Sequence, residues 1–226
     1  MPTSVFITAT DTHAGKTWVT QHLIQALLQQ GSNAKAIKPI ACGHENGEIN
    51  QDVQILLHAQ TLKHPADVNL YDFKLPASPH MAAQAESSHI EPKALLTWCE
   101  KQIQHTDICL IEGVGGLMVP LNFNYLLSHW ICDMPNIPVI LVVGNQLGCI
   151  NHALLSLEKL AQMQRHPAWV IINPLEHKQD DTQDAQILVD TLQPHLHPSS
   201  KLLISKYNKP ETLQPILAWL TKTSHS

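Results

Sequence analysis

The stretch that most constrains the fold is the beginning of the chain, where a buried-type strand runs through a short loop into a long helix. Ser4-Val-Phe-Ile-Thr8 is an apolar, β-branched run. Lys16 to Gln30 then carries Val19, Leu23, Ile24, Leu27 and Leu28 along one stripe, the spacing of a helix with one buried face, and Gly31 is a suitable stop. Between them lies Ala9-Thr-Asp-Thr-His-Ala-Gly15-Lys16-Thr17, which resembles the pattern G-x-x-x-x-G-K-[ST] with Ala9 in the place of the first glycine. Backbone N–H groups at a helix N-terminus cradle phosphate oxygens, the lysine neutralises them, and the Ser/Thr hydroxyl ligates Mg2+. Gly15 lets the backbone approach without a Cβ in the way. Gly-Lys-Thr is a common tripeptide, but its place between a strand and a helix start favours a nucleotide site over chance.

The rest of the chain repeats the alternation. Strand patterns fall at Ala34–Lys38 (cut off by Pro39), Asp107–Glu112, Pro138–Gly144, Trp169–Asn173 and Lys201–Ser205. Helical patterns fall at Asp52–Ala59, Pro92–Gln104, Ile150–Gln164, Asp181–Leu192 and Pro210–Leu220. Alternating strands and helices predict an α/β fold, a doubly wound and mostly parallel sheet covered on both faces. With 226 residues and no linker between halves, one domain over 1–226 is expected. Leu62 to His89, rich in proline, serine and histidine, reads as a long functional excursion.

Composition removes several classes of function. Lys+Arg number 14 against 19 Asp+Glu, a formal charge of −5, and Arg165 is the only arginine. Nucleic-acid binders need basic patches and favour arginine, so that class is not expected. The longest apolar run, near Pro138–Gly144, is too short to cross a membrane. Cys42, Cys99, Cys109, Cys132 and Cys149 are scattered and odd in number, which reads as reduced thiols. Fifteen histidines include no HExxH pattern, and Met1-Pro-Thr-Ser-Val has no leader character. A soluble cytoplasmic protein is the expectation.

Phosphoryl transfer also needs a carboxylate for the metal, usually at the end of a neighbouring strand. Glu112 ends the Asp107–Glu112 run and is followed at once by Gly113-Val114-Gly115-Gly116. It is a metal ligand or a solvated strand exit, and the nearby phosphate loop favours the former. Asp52 opens a helix and by spacing is an N-cap. Lys38 ends the second strand, the side of an open α/β sheet where ligands bind, and is a substrate clamp or a solvated terminus.

Together these segments resemble the dethiobiotin synthetase family. The matching pieces are Thr8–Thr17, Lys38-Pro-Ile-Ala-Cys-Gly43, Ser78-Pro-His80, Glu112–Gly116 and Leu147-Gly-Cys-Ile-Asn-His-Ala153, spread over the first three quarters of the chain. The resemblance implies a P-loop NTPase fold, a homodimer, and ATP with Mg2+. It further implies that CO2 adds to an amine of 7,8-diaminopelargonic acid. The carbamate then attacks the γ-phosphate of ATP, and the second amine closes the ring. By resemblance Lys16 and Lys38 are catalytic, and Thr17, Asp52 and Glu112 surround the metal. His13, Ala14, Gly15, Lys16, Thr17, Trp18, Asp52, Glu112, Gly113, Val114, Gly115 and Asn173 would contact ATP, with Asn173 reading adenine. Thr12, Cys42, Ser78, Pro79, Cys149 and Asn151 would contact the diamine, the last two across the dimer interface. The diamine is itself the nucleophile, so no Ser–His or Cys–His pair is required.

Departures from the family pattern are Ala9, His13 where a Glu is frequent, Asn145-Gln146, Pro174, and Ile204-Ser-Lys-Tyr207 in place of Gly-x-Ile-Pro. Rival readings are weaker. A partitioning ATPase would carry a second lysine where Asp11 stands, and a GTPase would need Asn-Lys-x-Asp where Asn145-Gln-Leu-Gly148 stands. A nucleotide-binding paralogue without turnover is disfavoured by the retention of Lys38, Asp52 and Glu112.

Overall fold

The computed structural model describes residues 3–45, 47–176 and 181–223. The first half runs β1 (Thr3–Ala9), α1 (Lys16–Gln29), β2 (Ala34–Ile37), β3 (Ile40–Cys42), α2 (Gln51–Ala59), β4 (Tyr71–Phe73), α3 (Pro79–Ala85) and α4 (Pro92–Gln104). The second half follows as β5 (Ile108–Glu112), β6 (Pro120–Asn122), β7 (Tyr125–Leu126), α5 (Leu127–Asp133), β8 (Val139–Asn145) and α6 (Cys149–Gln162). It ends with β9 (Trp169–Pro174), α7 (Asp181–Leu192), β10 (Lys201–Ile204) and α8 (Gln214–Thr223).

Six strands form one parallel sheet in the order β10-β9-β8-β1-β5-β2. Chain direction from β1 first goes to one side and later to the other, so the crevice at the carboxyl ends of the central strands opens beside β1. Side chains of β1 alternate between two cores. Phe6 joins α4, α5, α6 and α7 through Leu95, Trp130, Leu157 and Leu188. Val5, Ile7 and Ala9 join α1, α2 and α8 through Leu23, Leu56 and Leu217. Burial on both faces explains why these strands read as continuous apolar runs rather than as alternation. At the sheet edge the Gln60 carboxamide stands in for a missing strand, accepting from the Ala36 N–H at 2.8 Å and donating to the Ala36 carbonyl at 2.9 Å.

The sequence expectations hold for the six main strands and six helices, with shifted ends. Gly148, at φ 90°, is the N-cap of α6, so that helix starts at Cys149 rather than Ile150. The Pro210–Leu220 helix opens as a 3-10 turn, Pro210–Leu213, before α8 begins. Leu62–His89, read as a functional excursion, carries structure of its own: β4 pairs with β3 and α3 follows. The hairpin of β6 and β7 and helix α5 were not anticipated. No helix among the described residues is long and apolar enough to cross a membrane.

Candidate active site

The loop after β1 wraps the start of α1. Counted back from Gly15, the pattern's first glycine falls on Thr10, not Ala9. Ala9 is still within β1, in register with Val142, so an alanine there meets no left-handed requirement. The loop that starts from it is one residue longer than the pattern. His13 carries the positive φ, 61°, in the loop itself, and Gly15 follows at 96° as the N-cap of α1. Thr12 and His13 are exposed, Ala14 is buried, and Trp18 is half-buried beside His22. The Lys16 ammonium donates to the Asp11 carbonyl at 3.0 Å, closing the loop on itself.

The acidic strand end lies directly against this loop. The Gly113 N–H donates to the Ile7 carbonyl of β1 at 2.9 Å. A Cβ on Gly116 would meet the Thr10 carbonyl at 3.0 Å, so only a glycine lets the segment through Val114 and Gly115 pass this close. Glu112 is fully buried, and its Oε1 accepts from Thr17 Oγ1 at 2.7 Å and from Lys38 Nζ at 2.6 Å. Lys38 Nζ also meets Asp52 Oδ2 at 2.9 Å.

Lys38 is therefore not a solvated strand end. It is 4% exposed, with its N–H on the Val68 carbonyl and its own carbonyl on the Asn69 carboxamide. Both partners come from the Leu62–His89 stretch. Asp52 is not the N-cap either. Asn50 takes that role, its side chain accepting from the N–H groups of Asp52 and Val53, which leaves the Asp52 carboxylate for Lys38. Glu112 is no solvated exit.

Charge follows this packing. Burial and then the Lys38 ammonium lower the Lys16 amine to about 8. Burial alone would lower Lys38 too, but the carboxylates of Glu112 and Asp52 raise it above the ordinary lysine value. The Asp52 carboxyl is lowered despite its burial, because Lys38 and Thr17 lie beside it. Burial pushes the Cys42 thiol up to about 12, so it is neutral at physiological pH.

A metal would find hard oxygen donors here. Glu112 Oε2 is buried with no hydrogen-bond partner among the described residues, while Oε1 holds the Thr17 hydroxyl, which also lies beside the Asp52 carboxylate. Among the described residues no group of three His, Cys, Asp or Glu could hold a metal alone. Two carboxylates and a hydroxyl suit an ion that takes its remaining ligands from phosphates and water, the usual habit of Mg2+.

The remaining candidates are distributed. Cys42 ends β3 near Lys38, its carbonyl held by Asn50. Ser78 caps α3, with Oγ near His80 Nδ1 and donating to the Pro120 carbonyl at 3.4 Å, and Pro79 is buried behind it. Cys149 packs in the apolar core at the start of α6, and Asn151 is exposed on the same turn. Neither is bonded to the Lys38 cluster among the described residues. Asn173 is buried, its Nδ2 donating to the Ala14 carbonyl at 3.1 Å. Sequence reasoning missed Asn50 as the cap and Ser205, whose hydroxyl donates to Asn173 Oδ1 at 2.9 Å. Asn50, two residues before the start read for that helix, was a usable signal; Ser205 carried none.

Comparison with known proteins agrees with this geometry. A family model described as "AAA domain" matches residues 3–214. The chain is 36% identical over 220 residues to the ATP-dependent dethiobiotin synthetase BioD of Vibrio parahaemolyticus serotype O3:K6, a match covering 92% of this chain and 96% of that one. It is 44% identical over 162 residues to the enzyme of the same name from Legionella pneumophila strain Philadelphia 1, covering 69% of this chain and 72% of that one. Among solved structures, the hydrogenase maturation factor HypB of Archaeoglobus fulgidus superposes with a TM-score of 0.57 at 14% identity, covering 99% of this chain and 90% of that one. A ParA family ATPase of Chlorobium tepidum does so at 0.54 and 13%, covering 98% and 99%. These two share the P-loop NTPase fold alone. Sequence identity carried along nearly the whole of a relative, over a site whose phosphate loop, acidic strand end and buried lysine lie in contact, places the chain in the ATP-dependent dethiobiotin synthetase family.

Proposed function

We propose that the protein makes dethiobiotin from 7,8-diaminopelargonic acid, CO2 and ATP, as a single P-loop unit of the cytoplasm acting without nucleic acid or membrane. The observation that carries this is the buried Lys38 beside Glu112, Asp52 and Thr17, at the mouth of the phosphate loop. The substrate brings its own nucleophile, so the protein must supply position and positive charge. One amine takes up CO2 as a carbamate. The carbamate oxygen attacks the γ-phosphorus and ADP leaves, giving a carbamic-phosphoric anhydride. The second amine then attacks the carbamoyl carbon, phosphate leaves, and a cyclic urea remains.

Lys16 and the N–H groups at the start of α1 hold the β- and γ-phosphates, while Lys38 faces the oxygens that gain charge as the phosphoryl group transfers. Mg2+, held by Thr17, Asp52 and Glu112, would neutralise phosphate oxygens. Incubating the protein with diaminopelargonate, bicarbonate and Mg·ATP should yield dethiobiotin by mass spectrometry, with one phosphate released per ring closed. Phosphate release without dethiobiotin would overturn the assignment.

The site is completed, on this reading, by a second copy of the chain. Leu147, Ile150 and Leu155 stand exposed around Asn151, which lines a groove of about 270 Å3 with Leu154, Glu158 and His195. Exposed apolar side chains gathered at the start of α6 suit an isologous interface. The start of α6, with its partial positive charge, would then receive the substrate carboxylate in a chain whose single arginine is engaged elsewhere, on the Met134 and Ile137 carbonyls. Asn151→Ala should raise KM for the diamine and leave that for ATP within about twofold. Mixing Lys38→Ala with a severely impaired Asn151 variant should restore some activity, because one site of the mixed dimer keeps both groups. A fully active monomer, or no recovery after verified subunit exchange, would sink the shared site.

A further inference from the structure

The C-terminal strands reach the phosphate loop through two side chains. Asn173, at the end of β9, is 5% exposed, and Ser205, just past β10, is 1% exposed. The Ala14 carbonyl can only accept, so the Asn173 group facing it at 3.1 Å is the amide nitrogen. That leaves Asn173 Oδ1 toward Ser205, whose hydroxyl donates to it at 2.9 Å. Ser205 is itself fixed, its N–H on the Ile172 carbonyl at 2.9 Å. The contact with the loop is close: a Cβ on Gly15 would lie 2.1 Å from Asn173 Nδ2.

The carbonyl and N–H of one trans peptide point in opposite directions. Holding the Ala14 carbonyl outward on Asn173 therefore turns the Gly15 N–H away from β9, toward the inside of the loop. We infer that Ser205 and Asn173 are positioning residues that set the Ala14–Gly15 peptide plane and so aim the Gly15 N–H at a bound phosphate. This rests on the nucleotide reading above, but it differs from the adenine contact that the family resemblance implies for Asn173. A brace acts on the phosphates whatever base they carry, whereas an adenine reader acts only on nucleotides with that base.

Inorganic tripolyphosphate separates the two, since it has phosphates and no base. Calorimetric titration with Mg·tripolyphosphate and with Mg·ATP would be run on the wild type, Asn173→Ala, Ser205→Ala and Ser205→Thr. The wild type should bind both. Asn173→Ala should weaken both by the same factor of about ten, the size of one lost hydrogen bond. Ser205→Ala should weaken both by about threefold, and Ser205→Thr, which keeps the hydroxyl, should restore wild-type affinity. A role confined to holding β9 against β10 would move the melting temperature and not tripolyphosphate affinity. Unchanged tripolyphosphate binding in Asn173→Ala, with ATP binding weakened or not, would overturn the brace. If that variant does not fold, Ser205→Ala, which removes one oxygen, decides by the same criterion. A wild type that binds neither ligand would instead overturn the nucleotide reading, and the brace with it.

Discussion

Lys38→Ala is expected to lower kcat by about 10³-fold while leaving the Kd for Mg·ADP within about threefold. A cation placed on a transferring phosphoryl group meets more charge in the transition state than in the ground state, and such contacts are worth ~10³ or more in rate. Lys16, the N–H groups of α1 and the brace on Ala14 are untouched by the change, so ground-state phosphate binding should survive. The structure adds a second consequence. Lys38 is the cation shared by Asp52 and a fully buried Glu112, and removing one partner of a buried pair costs about 3–5 kcal/mol.

That cost has a pH dependence of defined sign. In the wild type the Asp52 carboxyl lies below its ordinary value, so its contribution to stability is present above the usual carboxylate range and lost as pH falls. Without Lys38, the Asp52 carboxyl loses the ammonium that holds it low, and this acid-labile contribution goes with it. The melting temperature of Lys38→Ala should therefore fall less than that of the wild type as pH drops below the usual carboxylate range. Near-normal kcat in the variant would make Lys38 a structural cation only, whatever its melting behaviour.

The parts of the fold that were legible are those written in short-range patterns. A strand buried on both faces needs a run of Val, Ile and Leu, and β1, β5, β8 and β9 each have one. The Gly-Lys-Thr of the loop is equally local. By contrast, β3 and β4 are three residues each and exist only because they pair across 28 intervening residues. Helix α3, seven residues long, has too few turns for a periodic stripe.

The same division runs through the site. Glu112 was readable because a strand ended on it and glycines followed. Whether Lys38 was a clamp or a solvated end depended on Val68 and Asn69, some thirty residues away, which bury its backbone. Asp52 was read as the cap because the helix was begun at it, one residue past its true start at Gln51. Geometry alone gave the cap to Asn50, and that choice is what frees Asp52 for Lys38. Asn173 was found through resemblance, and its bond to Ala14 joins residues 159 apart, beyond any local signal.

Gly15→Ala should weaken Mg·ATP binding by about 10²-fold and lower the melting temperature by a few degrees. Two separate effects add. At φ 96° an alanine is strained by about 1–2 kcal/mol, roughly a factor of ten in affinity if the loop relaxes to relieve it. The new Cβ would also stand 2.1 Å from Asn173 Nδ2, so the carboxamide must leave, and the brace on Ala14 is lost with it. Because Gly15→Ala already displaces Asn173, adding Asn173→Ala should cost nothing further. The double variant should bind Mg·ATP as Gly15→Ala does, about 10²-fold below wild type, and not 10³-fold below, as independent effects would give. Titration of the four proteins of this cycle reads the coupling directly. A double variant that falls to the product of the two single losses would mean that Asn173 keeps its bond to Ala14 despite the added methyl, and that the close approach of Gly15 to β9 is not what ties the loop to the sheet.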